Sequence, residues 1–290
     1  MIEARGLSHT YRPGDPPALD GIDLILQAGE AAALMGETGA GKSTLAQILA
    51  GLLRPTRGQV LWEGRSGLES PSGPAPGRPL VGYLFQRPEH QLFEATVWED
   101  VAFGPRRLGL SPEAVAARVH EALTLVGLDP EAMRRRSPLT LSGGEQRLAA
   151  LAGLLALRPR FLILDEPAAG LDAAGTSRLR DLLARLHGAG VGLLVITHSL
   201  EDAARWAHRL LVLHQGRLVC DQPMSQALQD PDELARWGVR PPVTVELARR
   251  LRAGGLPLSP GVWDLEDLAS EMARLFAPGG AGGPEAPGAG

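Results

Sequence analysis

Eight consecutive residues restrict this chain more than any other feature. Gly36-Glu37-Thr38-Gly39-Ala40-Gly41-Lys42-Ser43 fits the spacing G-x-x-x-x-G-K-[ST], follows the apolar run Ala31 to Met35 and opens the helix-like run Thr44 to Leu53. Three glycines let such a loop curl until its backbone N–H groups point inward at phosphates, and the positive end of the following helix strengthens the field. On this reading Lys42 reaches the β- and γ-phosphates of a nucleotide and Ser43 ligates Mg²⁺. The competing reading is a Gly-rich strand-to-helix turn carrying a surface lysine. The placement between an apolar strand and a helix favours the phosphate loop.

The remaining apolar segments fit a sheet built around that loop. Leu80 to Phe85, Phe161 to Leu164 and Val191 to Ile196 are short, rich in Val, Ile and Leu, and separated by helical stretches, which argues for a largely parallel sheet covered by helices. Between the first and second of these segments, residues 88–157 read as an inserted helical subdomain. Within it Ser111-Pro112-Glu113 starts a helix, Val115, Val119, Leu123 and Val126 mark one face, and Gly127 stops it. From residue 221 the pattern shifts to short amphipathic pieces, including Val245 to Leu251 and Leu265 to Phe276, which we read as a small C-terminal domain over 221–277. Ser66 to Pro79 reads as an exposed loop, and residues 278–290, with nine Gly or Pro in thirteen, as a disordered tail.

Composition narrows the function classes. The 290 residues carry 33 acidic and 29 basic side chains, a net charge of −4 with no block of like charges, so no electrostatic footprint for nucleic acid is visible. The run Arg134-Arg135-Arg136 reads as a solvated face. One cysteine, Cys220, excludes a disulfide framework, fits a reducing compartment and reads as a core residue. The N-terminus lacks the basic-then-apolar pattern of a signal peptide, and no apolar run approaches the roughly 20 residues that cross a bilayer. Any membrane role must come through partner subunits.

Two further segments carry chemistry. Phe161 to Glu166 is an apolar strand ending in two carboxylates, where ligands of open parallel sheets bind. Because successive strand side chains point to opposite sides, Asp165 is expected to hold the Mg²⁺ shell and Glu166 to face the attacking water as general base. An acidic strand-end turn before Pro167 is the plainer alternative. Leu141-Ser142-Gly143-Gly144-Glu145 precedes the helical run Gln146 to Leu157. Ser142 and Glu145 alone would make a capping box, while the two glycines leave the helix tip bare enough for a second phosphate contact. Two phosphate sites are redundant for one nucleotide in one chain. Head-to-tail pairing removes the redundancy, each chain offering its Ser142 turn to the ATP held by the other.

These segments resemble the Walker A, Walker B and signature motifs of ABC ATPases, and the resemblance covers about residues 2 to 220. It implies further roles. Thr44 is placed for the α-phosphate, and Tyr11 resembles the aromatic that stacks on adenine. Gln86 is similar to the Q-loop glutamine, which touches Mg²⁺ and the transmembrane partner. Gly170-Leu171-Asp172 resembles the D-loop, which implies that Asp172 joins Ser142, Gly143, Gly144 and Glu145 in contacting the partner chain's nucleotide. His198 sits where the switch histidine binds the γ-phosphate, so Glu166, His198 and Gln86 form the implied catalytic set and Ser43, Gln86 and Asp165 the Mg²⁺ set. The implied fold is α/β: a P-loop NTPase with an ABC-type helical subdomain and N-terminal antiparallel β strands over 1–220, plus a small C-terminal helical domain.

The resemblance narrows around Gln86. Phe85 to Phe93, Thr96-Val97, Asp100 to Pro105, His198 to Ala203 and the segment 241–255 with Glu246-Leu247-Ala248 are similar to energy-coupling factor ATPases. That family implies MgATP hydrolysis powering uptake of a vitamin or transition metal ion of the cobalt or nickel type. It also implies a second ABC ATPase, identical or paralogous, a coupling transmembrane subunit, a substrate-specific membrane subunit, and a peripheral position on the cytoplasmic face of the cell membrane. The segment 241–255 implies C-terminal dimerisation. Leu92 and Phe93 offer a socket for a partner helix, or else core packing of the helical subdomain. The sequence departs from the family at Glu145, where Gln is usual, at His90, where Asp is frequent, and at Trp98, a usually acidic position. The ATPase of a conventional importer is the nearer rival reading. Soluble ABC proteins acting on DNA or ribosomes usually carry coiled coils, zinc modules or a second cassette, and none appears here.

Overall fold

The computed structural model describes residues 1–66, 81–259, 262 and 265–277, with the side chain of Glu89 also left aside. Most of the expected loop at 66–79, and all of the expected tail at 278–290, lie outside the described residues.

The chain opens with an antiparallel pair, β1 (Ile2–His9) and β2 (Leu19–Leu26), and then runs into β3 (Ala31–Met35), whose five residues are all buried. Helix α1 (Lys42–Leu49) follows the glycine loop. It stops short of the expected Leu53 because Gly51 turns the backbone left-handed at φ +75°. Strands β4 (Arg57–Trp62) and β5 (Arg65–Ser66) extend the first pair into a four-stranded antiparallel sheet in the order β2-β1-β4-β5.

The second sheet holds the site. Its strands are β3, β6 (Val81–Leu84), β7 (Phe161–Asp165), β8 (Gly192–Ile196), β9 (Arg209–His214) and β10 (Arg217–Pro223), in the order β10-β9-β3-β8-β7-β6, parallel except for the β9-β10 hairpin. Between β6 and β7 lie α2 (Val97–Arg107), α3 (Pro112–Leu125), the single turn α4 (Pro130–Met133) and α5 (Gly143–Ala156). Helices α6 (Ala173–Gly188) and α7 (Leu200–Trp206) connect the later strands. Ser111 caps α3 as expected, its hydroxyl accepting from Ala114 N–H, and Val115, Val119, Leu123 and Val126 are all buried.

Alternation along the buried strands divides the core into two layers. Leu162, Leu164, Leu193 and Val195 face the helices α2, α3, α5 and α6, whereas Ile163, Leu194 and Ile196 face α1 and the antiparallel sheet. Helix α1, carrying the phosphate-loop lysine at its first position, is thus clamped between the two sheets. The helical insertion shares its apolar core with the main sheet.

Beyond β10 come α8 (Met224–Ala227), α9 (Pro231–Arg236), α10 (Val243–Ala253) and α11 (Leu265–Leu275). Strand β10 crosses the expected boundary at 220, and Met224, Ala227, Leu234 and Val239 pack with Ala33, Met35, Leu210 and Val212. Residues 221–239 therefore complete the main core, because β10 pairs with β9 through Pro223 and carries the following turn against it. A separate small cluster of Ala248, Leu258, Val262 and Leu268 joins α10 to α11. Cys220 is buried in the main core, as expected, and burial pushes its thiol pKa up to about 11.

Candidate active site

The glycine loop is fixed by backbone crowding. A Cβ at Gly36, where φ is +137°, would stand 2.0 Å from the Leu213 carbonyl oxygen, and one at Gly41, where φ is +102°, 2.4 Å from the Ala18 carbonyl oxygen. Only glycine passes both points. Gly41 is also the N-cap of α1, so the helix begins with no side-chain cap and its first N–H groups face the loop. The Lys42 ammonium donates to the carbonyls of Gly36 and Glu37, each at 2.8 Å, and so lies across the loop. Burial lowers its pKa from the ordinary lysine value, while the charges of Glu166 and Asp165 oppose that shift.

Strand β7 delivers Asp165 beside this loop. Its Oδ2 accepts from the Ser43 hydroxyl at 2.9 Å and from the buried Tyr83 phenol at 3.2 Å. Tyr83 pairs in register with Ile163, so it shares with Asp165 the sheet face turned to α1. Burial, with the Asp165 charge, raises the phenol pKa well above the tyrosine value and keeps the hydroxyl a donor. Ser43 Oγ and the Asp165 carboxylate are hard oxygen donors of the kind Mg²⁺ takes beside substrate phosphates. Among the described residues no group of three or more His, Cys, Asp or Glu could hold a metal.

Glu166 lies past the end of β7, and its direction comes from an unusual backbone conformation, not from the strand alternation on which the sequence argument relied. Its φ is +50°, left-handed for a residue with a Cβ, a conformation costing about 1–3 kcal/mol that persists where the surroundings enforce it. Three hydrogen bonds do so here. The Glu166 N–H donates to the Ile196 carbonyl at 2.9 Å, and its own carbonyl accepts from Ala169 N–H at 3.1 Å and from the Arg147 guanidinium at 2.6 Å. The carboxylate then meets His198 Nδ1 at 2.9 Å.

Arg147 is a residue of this site that the sequence reading missed. It is 6% exposed, sits just over one turn into α5, and its second guanidinium nitrogen donates to the Gln86 carbonyl at 2.8 Å. One side chain thus ties the helix that Ser142 caps to the backbone of both Gln86 and Glu166. The available signal was a lone arginine ahead of the apolar run 148–157. Tyr83 was also missed, and its signal was weaker still, one hydroxyl-bearing residue in an apolar strand.

Tyr11 is 61% exposed, stands edge-on to His9 with ring centres 4.8 Å apart, and its hydroxyl shares a hydrogen bond with Thr44 Oγ1 at 2.9 Å. That joins the aromatic expected at adenine to the hydroxyl expected at the α-phosphate.

The remaining expected residues form a second group. Ser142 and Glu145 make a reciprocal capping box on α5, and Arg136 holds the Glu145 carboxylate from both nitrogens at 2.6 and 3.0 Å. The Arg136 bonds come first in keeping the Glu145 pKa below the ordinary carboxylate value, followed by the Ser142 N–H. Arg136 is therefore no simple solvated residue, and Arg134 lies 4.3 Å over the Trp98 ring. A Cβ on Gly144 would stand 3.1 Å from the Gly170 carbonyl, so the Ser142 turn abuts the Gly170-Leu171-Asp172 turn. Asp172 caps α6 by accepting from Gly175 N–H at 2.6 Å. Of the expected socket pair, Leu92 packs against the core and Phe93 is 64% exposed, edge-on to Phe103 at 4.9 Å.

A phosphate loop, an adjoining carboxylate pair and a histidine at the carboxyl edge of a parallel sheet define a P-loop ATP hydrolase of the cassette type. Residues 19–169 match the family model described as ABC transporter. The chain is 43% identical to the energy-coupling factor transporter ATP-binding protein EcfA2 of Symbiobacterium thermophilum, over 95% of itself and 96% of that protein. It is 38% identical to EcfA2 of Clostridium tetani, over 95% of itself and 97% of that protein. Among solved structures, the fold is similar to cbiO1 from Clostridium perfringens, described as part of the ABC transporter complex cbiONQ, with a TM-score of 0.70, 30% identity and coverage of 86% of this chain and 98% of that one. A dimeric ATP-binding cassette in a post-hydrolysis state with ADP and Pi also matches at a TM-score of 0.70, with 26% identity and coverage of 77% of this chain and 99% of that one. The chain belongs to the ABC transporter family and, within it, to the ATP-binding subunits of energy-coupling factor transporters. It is an ATP hydrolase, and among the described residues no helix is long and apolar enough to cross a membrane.

Proposed function

We propose that this chain hydrolyses MgATP in a pocket completed by a second cassette, and that the cycle powers uptake of a vitamin or a transition metal ion of the cobalt or nickel type. The observation that carries the catalytic part is the joining of Ser43 to Asp165 and of Glu166 to His198 beside the glycine loop. Residues 36–44 and Tyr11 hold the nucleotide. Lys42 leaves its loop carbonyls for the β- and γ-phosphates, a move favoured by the gain of a phosphate partner for a partly desolvated ammonium. Ser43, Asp165 and Gln86 would hold Mg²⁺, whose charge would neutralise that developing on the phosphates. Glu166 accepts a proton from the attacking water, and His198 orients that carboxylate and senses the γ-phosphate.

Ser142, Gly143, Gly144, Glu145 and Asp172 form a second surface group and serve the nucleotide of the partner chain, as suits the dimeric cassette that this fold resembles. Residues 241–277, with α10 and α11 on a core of their own, act as a small dimerisation domain. The exposed Phe93-Phe103 pair, on the segment that follows Gln86, receives the coupling transmembrane subunit, a substrate-specific membrane subunit selects the cargo, and the ATPase lies peripherally on the cytoplasmic face of the membrane. The names of the relatives favour this assembly.

The test is Glu166→Gln. Binding of MgATP should persist, because the phosphate loop is untouched, while turnover falls by roughly 10²- to 10⁴-fold. Hydrolysis at the parental rate would remove Glu166 from the role of base.

A further inference from the structure

Asp165 Oδ2 accepts two hydrogen bonds, and the two donors come from different elements. Ser43 is the hydroxyl assigned to the cation and lies on the first turn of α1. The Tyr83 phenol comes from the neighbouring strand β6. It is 5% exposed and its ring stands edge-on to Phe85 at 4.8 Å.

We propose that Tyr83 is a positioning residue for the metal site, fixing the Asp165 carboxylate in the rotamer that receives Mg²⁺. This rests on the assignment of Asp165 to Mg²⁺ made above. Two points support it. The phenol is not itself assigned to the cation, so its bond to Oδ2 at 3.2 Å can persist when Ser43 contacts the metal. It is buried, so the carboxylate cannot rotate away without leaving that phenol unsatisfied. Groups that hydrogen-bond a metal-ligating carboxylate from behind control affinity for the metal without touching it.

The experiment is Tyr83→Phe in the full chain, which removes one oxygen and retains the ring against Phe85. Mn²⁺ would be titrated in the presence of a non-hydrolysable ATP analogue and free ion followed by electron paramagnetic resonance, alongside fluorescence titration of the same analogue in EDTA. The proposal expects Mn²⁺ affinity in the ternary complex to fall roughly tenfold, with metal-free nucleotide affinity unchanged. Unchanged Mn²⁺ affinity in Tyr83→Phe overturns the proposal, and so does an equal loss of metal-free nucleotide binding, which marks general damage to the loop. If the parent chain itself fails to take up Mn²⁺ with nucleotide, the assignment of the metal to Asp165 is what fails.

Discussion

Arg147→Met separates the catalytic backbone from the helix that holds it. The substitution keeps a long side chain and deletes the two donors that reach Glu166 O at 2.6 Å and Gln86 O at 2.8 Å. A hydrogen bond from a charged donor contributes about 1.5–3 kcal/mol, giving an upper figure of about 3–6 kcal/mol for the pair. Two features reduce it. Glu166 O keeps Ala169 N–H, and Gln86 is exposed, so water can replace one bond. Relief of the desolvation of a buried guanidinium reduces it further, leaving a net loss of about 2–4 kcal/mol. The functional effect should exceed what stability alone explains. Without the guanidinium the left-handed Glu166 loses one of three restraints, and the carboxylate no longer stands reliably at His198. Urea unfolding should therefore show a lower midpoint, and kcat for ATP should fall by roughly tenfold or more at temperatures where the variant is folded. KM should change little, because the phosphate loop and Tyr11 are untouched. Arg147→Lys, which keeps the charge but not the fork, should recover part of the stability and little of the kcat. If Arg147→Met unfolds at the parental midpoint and turns over at the parental rate, the clamp has been misread.

Two other consequences can be measured in the same preparations. Glu145→Gln installs the residue usual in the family and loses the charge pairing with Arg136, for an expected cost of under about 1 kcal/mol at this partly exposed position. Because the folded-state pKa of Glu145 is depressed from 4.5, its contribution is present above that value and lost as pH falls through the folded value. Urea midpoints of parent and variant should differ at pH 7 and converge as pH falls through the folded value, and a gap that persists in acid would assign the difference to something other than the ion pair. Phe93→Ala should leave stability and basal ATPase within experimental error, since the ring is largely in solvent, yet abolish co-purification with the coupling membrane subunit. Full retention of that partner would move the docking surface elsewhere.

The legible parts of the site were those where a local sequence rule and the fold agree. Gly36 and Gly41 before Lys42 are required by carbonyls of Leu213 and Ala18, but the need for flexibility shows in the sequence even though those partners do not. The strand Phe161 to Asp165 announced the carboxylates by its apolar run. Helix α3 was readable because one cap, one proline and one apolar stripe all fall together at one fourteen-residue helix and its two flanking residues. What stayed hidden depends on contacts distant in sequence. Arg147 reaches back 61 residues to Gln86 and forward 19 to Glu166, and Tyr83 meets Asp165 across 82. Nothing local distinguishes that arginine from a surface charge, or that tyrosine from an ordinary strand aromatic.

The same distinction explains why strand β10 and the turn after it cross the expected boundary at 220. Amphipathic periodicity changes at β10, and the change looks like the start of a new unit. Yet periodicity reports which face of an element is buried, not what buries it. Met224, Leu234 and Val239 spend their apolar faces on Ala33 and Met35 of the strand leading into the phosphate loop. Gly238 lies so close to Glu37 that a Cβ there would stand 2.1 Å from the Glu37 Cγ. The segment after β10 is therefore packed against the nucleotide loop itself. A change in the loop at Glu37 must be accommodated by the 237–239 turn, and through it by the helices that follow.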